Sequence, residues 1–265
     1  MDDKFVGHYV PQLSELVYDR NKNTNKYPYI KFKGFIVGNP EISDEFDKKG
    51  ALDFAWGHAI ISDENYYVAK KSCDFSNDDW SDTCYDAIIM MWEQYKDMDI
   101  YNGNLFGRLS ASYDPCSLVS LYTRKYFNRK DVQKALHVNG PHVKWQECNY
   151  TMSGTTYNRS IFSVLPIYKK LINVGLKIWM YSGDVDARVP FLGTRYCVEN
   201  LNLTLKSNWT NWYCDHQVAG KMVEYEGLTY LTVKGAGHSV PSDKPNESRA
   251  LIHSYLTGQP LQTHK

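Results

Sequence analysis

The sequence predicts an α/β protein whose core is a parallel sheet. Three observations point there. Three runs rich in β-branched and aromatic residues each end in a glycine-bearing turn. Amphipathic helical patterns stand between and after them, the alternation that builds parallel sheets. Two of the runs deliver an acid and a histidine to the ends where such sheets collect their ligands.

The first run is YIKFKGFIVGNP, in the Tyr27 to Pro40 region, closed by Gly-Asn-Pro. The second is LKIWMYSGD, Leu176 to Asp184, and the third is LTYLTVKGAGH, Leu228 to His238. Among the helices, RKDVQKALHV (Arg129 to Val138) puts Val132, Ala135 and Leu136 on one face. SIFSVLPIYKKLINVG (Ser160 to Gly175) puts Ile161, Val164, Ile167, Tyr168 and Leu171 on one face, with Gly175 at C′ and Pro166 bending or delaying its start. NESRALIHSYLTG carries an N-cap signal at Asn246 and a closing Gly258.

Between residues 41 and 126 the pattern changes to short helical pieces and acidic, Ser/Asn-rich loops with no convincing strand. This predicts three regions: 1–40 opening the core, 41–126 as an inserted helical cap, and 127–265 as the C-terminal core. Only three core strands are expected.

Lys plus Arg and Asp plus Glu both number 30, so the net charge is zero. That balance argues against nucleic-acid and membrane-surface binding, which need a basic excess. No apolar run approaches the roughly 18 residues of a membrane span, and the opening residues show no charged-then-apolar leader. The body of the chain nevertheless reads as secretory. Sequons stand at Asn149, Asn158, Asn202, Asn208 and Asn246, five where 18 asparagines predict about two by chance. The six cysteines lack the paired spacing of a zinc site. No metal or cofactor is expected.

The chemistry sits in YSGDVDARVP and VKGAGHSVP. An imidazole can take a nucleophile's proton, and a carboxylate can fix its tautomer and stabilise the imidazolium. Acid before histidine is the chain order of α/β hydrolases, after a serine on a G-x-S-x-G elbow. Asp186 is the expected orienting acid and His238 the base, with Asp184 bracing the turn. No serine in the chain has an elbow around it.

GHYVPQL (7–13), KGFIVGNP (33–40), RKDVQKALHVN (129–139), YSGDVDARVP (181–190) and GAGHSVP (235–241) together resemble the serine carboxypeptidase family, its plant carboxypeptidase-like members most closely. The resemblance runs in order along almost the whole chain. It implies an α/β-hydrolase fold with an inserted cap, here a partial one holding the C-terminal part of the parallel sheet. It also implies removal of C-terminal residues from peptides through an acyl-enzyme, acyltransferases among the relatives, and secreted or vacuolar proteins with disulfides and glycans.

The family elbow reads G-E-S-[YF]-[AV]-G-H-Y. This chain matches it from Phe5 onward, but Asp2 takes the place of the glycine and Lys4 that of the serine. Asp3 stands where the family's Glu helps receive the substrate carboxylate. The family's N-G-G-P-G loop, an oxyanion donor, would precede Met1. A lysine directly after two aspartates stays protonated and is no nucleophile, so the chain, read as N-terminally truncated, is expected to be inactive as written. Two other readings compete: a non-catalytic binding protein, and an enzyme of peptidase or acyltransferase type completed by another chain. An edge left open on the first strand predicts pairing with a complementing chain or aggregation.

The resemblance also implies a local Cys73–Cys84 disulfide. It leaves Cys116 and Cys148 without their usual partners, or bonded to each other. Cys197 and Cys214 pair or stay free; sequence does not decide.

Overall fold

The computed structural model describes residues 6–96, 98–101, 122–140, 144–146 and 160–264. It divides into two compact units, one of residues 1–96, 100–105 and 161–265, the other of 97–99 and 106–160. The first unit contains helix α1 (Val6–Arg20), strand β1 (Gly34–Gly38) and helices α2 (Asp44–Gly57), α3 (Asp63–Ser72) and α4 (Asp82–Glu93). In the second unit, residues 122–127 are helical and α5 spans Lys130–Ala135. The first unit resumes with α6 (Leu165–Asn173), β2 (Lys177–Gly183), α7 (Phe191–Asn200) and β3 (Leu205–Cys214). It closes with β4 (Gln217–Tyr225), β5 (Leu228–Val233), α8 (Val240–Asp243) and α9 (Pro245–Thr257).

The sheet has five strands in the order β1-β2-β5-β4-β3. The three predicted strands are parallel neighbours: Phe35 lies opposite Ile178, and Ile178 opposite Leu228. β5 is central, and all six of its residues are buried, which explains a continuous Leu-Thr-Tyr-Leu-Thr-Val run instead of polar alternation. Side chains alternate between two cores. Phe35, Val37, Ile178, Met180 and Tyr230 face Tyr168 and Leu171 of α6 and Val198 of α7. Trp179, Leu231 and Val233 face the other way, toward Leu251 of α9.

The expectation of three strands is corrected by β3 and β4. They form an antiparallel hairpin joined to β5, with Met222 opposite Leu231. The hairpin turns on Asp215 and His216, both at positive φ (48° and 62°). That is the backbone of a tight primed turn, usually written Asn-Gly, and Asp-His disguises it. Register shifts along β3 break the alternation that would have revealed the strand.

Helix ends follow local chemistry. Pro166 lies in the first turn of α6, so the helix starts at Leu165 instead of Ser160. The α9 cap is corrected: Lys244 is the N-cap and Pro245 leads the helix, while Gly258 closes it at φ 75°. The helix expected over Arg129–Val138 is shorter, Lys130–Ala135. Ser62 and Ser81 cap α3 and α4 with their hydroxyls, and a Cys73–Cys84 disulfide links the two helices. Cys197 and Cys214 are both free thiols, while Cys116 and Cys148 lie outside the described residues. In the second unit, the Asn128 side chain both donates to and accepts from the Trp145 backbone, and the Phe127 and Trp145 rings lie 5.0 Å apart.

Candidate active site

β2 and β5 run side by side and in the same direction, so the loops leaving them share one end of the sheet. Gly183, the last residue of β2, lets those loops touch. A Cβ at this position would stand 2.3 Å from the carbonyl oxygens of both Ala236 and Gly237. Gly183→Ala is therefore expected to push that turn away and His238 with it, at a cost of about 1–3 kcal/mol. An unchanged thermal midpoint in the variant would contradict this.

The loops are then cross-tied. Val185 N–H donates to the Ala236 carbonyl at 3.1 Å. Asp184 accepts the Gly235 N–H at 2.6 Å, so its carboxylate braces the turn. Two residues on, Asp186 Oδ1 accepts the N–H groups of Arg188 (2.8 Å) and Val189 (3.1 Å). Its Oδ2 lies 2.8 Å from His238 Nδ1. Asp186 is 0% exposed and His238 5%. Burial pushes the Asp186 carboxyl above its ordinary range, against the pull of His238 and of the two backbone donors.

This arrangement has a definite chemical capacity. With Nδ1 committed to a fixed carboxylate, Nε2 is the nitrogen placed to exchange a proton with a reacting group. The His238 N–H donates to the Tyr101 carbonyl at 2.8 Å, and the Tyr101 ring meets the imidazole edge-on at 5.5 Å. Ile100 accepts from the N–H of Ala187, so the 100–101 segment touches both loops. Arg188 pairs with Glu41 at 3.3 Å, drawing in the loop after β1.

The structure brings Asp186 and His238 together. Asp3 and Lys4 lie outside the described residues, as do Asn149 and Asn158. Asn202, Asn208 and Asn246 are exposed. Sequence reading passed over Asn39 and Tyr101. Asn39 was readable only as part of the Gly-Asn-Pro that stops a strand, although it closes the third parallel strand at the same end of the sheet. Tyr101 sits in polar loop sequence that carries no signal. Among the described residues no cluster of His, Cys, Asp or Glu could hold a metal. A cavity of about 600 Å³, walled by Phe46, Asp53, Lys70, Phe75 and Tyr196 among others, includes neither member of the pair.

Neighbouring parallel strands carrying a buried acid and histidine on the loops that leave them, in that chain order, define an α/β-hydrolase type of protein. The sequence pattern of the family described as Serine carboxypeptidase matches residues 2–258, and the chain belongs to that family. It is 45% identical over 293 residues to Serine carboxypeptidase-like 26 of Oryza sativa subsp. japonica, an alignment covering 99% of this chain and 60% of the relative. It is 46% identical over 291 residues to Serine carboxypeptidase-like 33 of Arabidopsis thaliana, covering 98% of this chain and 60% of the relative. The crystal structure of Kex1(delta)p, a prohormone-processing carboxypeptidase from Saccharomyces cerevisiae, superposes with a TM-score of 0.71 at 21% identity, covering 96% of this chain and 60% of that one. That likeness fixes the fold as that of an α/β hydrolase. The chain thus spans about three fifths of the length of these relatives.

Proposed function

We propose that this chain carries the acid–base pair of a serine-carboxypeptidase centre acting on the C-terminal ends of peptides, with Asp186 orienting His238 and His238 moving the proton. The observation that carries the reading is the buried 2.8 Å contact between His238 Nδ1 and Asp186 Oδ2 at the ends of neighbouring parallel strands. We also propose that the 265-residue polypeptide taken alone does not turn over peptide. Lys4 stands at the position that resembles the elbow serine, and an ammonium beside Asp2 and Asp3 has no lone pair to attack a carbonyl. Loss of the nucleophile from such a triad costs on the order of 10⁶ in kcat. Asp3 is assigned to substrate-carboxylate binding.

Residues 41–126 are assigned to a cap bordering the substrate, because Ile100 and Tyr101 within that stretch bond the loops of Asp186 and His238. Among the described residues β1 pairs on one side only, with β2. Its other side is assigned to a complementing strand, a reading supported by the span of the match to the relatives. The exposed sequons Asn202, Asn208 and Asn246 fit glycosylation on a secretory route. No helix among the described residues is long and apolar enough to cross a membrane.

The test has two arms. The 265-residue polypeptide is incubated with N-blocked peptides and free amino acid is measured; release no greater than in buffer is expected. A second chain replaces Asp2–Lys4 with Gly-Glu-Ser behind a segment supplying the family's Gly-rich loop. It is expected to release C-terminal residues, and His238→Gln in that chain to abolish the release. Turnover by the unaltered polypeptide that vanishes on changing His238 would overturn the inactivity proposal. Turnover by the rebuilt chain that survives His238→Gln would overturn the roles given to the pair.

A further inference from the structure

We propose that Asn39 is a positioning residue for His238, setting the imidazole against Asp186 by clamping the main chains on either side of the pair. The proposal rests on the reading of Asp186 and His238 as the acid–base pair. Asn39 closes β1, on the far side of β2 from β5, yet its side chain reaches the loops after both. It is 1% exposed. Its Nδ2 donates to the His238 carbonyl at 2.6 Å, with a longer 3.5 Å approach to the Gly237 carbonyl. Its Oδ1 accepts the Gly183 N–H at 2.8 Å. Its own N–H donates to the Tyr181 carbonyl at 2.8 Å.

These contacts fall at meaningful points. Gly183 precedes Asp186 by three residues and ends the strand that carries it. The His238 peptide is gripped on both sides, its carbonyl by Asn39 and its N–H by the Tyr101 carbonyl. One rigid amide therefore spans from the acid's strand to the base's backbone and fixes their separation. The task selects the residue type. A donor must face the His238 carbonyl and an acceptor must face the Gly183 N–H, which a primary amide supplies and a carboxylate does not. The backbone at Asn39 is left-handed, φ 44°, a conformation that Asn tolerates better than other residues with a Cβ. A strained backbone held by four polar contacts at a functional end of a sheet is the pattern of stored positioning.

A merely structural brace would share the burial and the bonds, so the test needs a signal from the pair itself. In low-temperature proton NMR of the 265-residue polypeptide, the His238 Nδ1 proton held by Asp186 gives a downfield resonance, assigned by its disappearance in His238→Gln. Asn39→Asp, ionised, keeps an acceptor for Gly183 but turns a charged acceptor toward the His238 carbonyl where the amide had a donor. Asn39→Gly removes the whole amide without backbone strain. Both are expected to fold, judged by far-ultraviolet circular dichroism and a cooperative thermal transition, and both to lose the downfield resonance. Ser14→Ala, which removes another buried hydrogen bond, to the Val10 carbonyl, is expected to keep it. Retention of an unshifted resonance in both Asn39 variants overturns the proposal, as does failure of both to fold, which assigns Asn39 to the scaffold. Absence of the resonance in the unaltered protein overturns the reading of the Asp186–His238 pair, and the role of Asn39 with it.

Discussion

Asp186→Ala is expected to cost about 3–5 kcal/mol of folding stability, and Asp186→Asn only about 1 kcal/mol. The Asp186 carboxylate is fully buried and receives three polar groups: two backbone N–H donors and the His238 ring. Alanine strands all three in a site that water does not reach. Asparagine keeps an oxygen for Arg188 and Val189 but turns an N–H₂ toward His238. Nδ1 must then accept, and the ring is held in the tautomer that is wrong for taking a proton at Nε2. The two variants therefore separate the scaffold role of Asp186 from the proposed chemical one: in the rebuilt Gly-Glu-Ser chain Ala is expected to harm stability and turnover alike, and Asn mainly turnover.

The pH dependence follows from the same burial. The Asp186 carboxyl is raised in the folded protein relative to the unfolded chain. Its contribution to stability is therefore fullest below the ordinary carboxylate range and falls as pH rises toward the raised value. Asparagine carries no such slope, so the stability gap between the unaltered protein and Asp186→Asn is expected to narrow as pH rises through that window. Urea melts at several pH values check this, and a gap that widens with pH would falsify the sign.

The legible parts of the molecule were those where the local chain speaks for itself. YSGDVDARVP and GAGHSVP are strands running into glycine turns, and parallel pairing of β2 with β5 alone suffices to bring Asp186 to His238. Pro166 and Gly258 mark helix ends through backbone geometry that only those residues favour. The parts that were not legible depend on distant partners. Asn39 bonds a residue 199 positions away in the chain, and no local pattern announces such a contact. Tyr101 acts through its carbonyl oxygen, which every residue type possesses. In β3, the run Ser-Asn-Trp-Thr-Asn-Trp has neither clean alternation nor an Asn-Gly turn after it. Its strand character comes from pairing with β4 and from one inward tryptophan.

That tryptophan carries the second large effect. Trp212→Ala is expected to destabilise the fold by about 3–5 kcal/mol, lowering the thermal midpoint by on the order of 10 °C. The indole is 0% exposed and packs in the core formed by Trp179, Leu231, Val233 and Leu251. Its Nε1 donates to the Thr232 carbonyl at 2.9 Å. It is paired with Gly220, where a Cβ would come within 2.7 Å of that nitrogen, so the small residue and the large one are fitted to each other. Removing the indole opens a cavity between the hairpin and the central strand β5, whose next turn carries His238. Trp212→Phe keeps most of the volume and loses the hydrogen bond with a small part of the packing, so a smaller loss of about 1–2 kcal/mol is expected. Were β3 and β4 an appendage to a three-stranded core, Trp212→Ala would leave the midpoint where it was and loosen only the hairpin amides in hydrogen exchange. A cooperative loss that also removes protection from β2 and β5 places the hairpin inside the folding unit that holds the acid and the histidine in register.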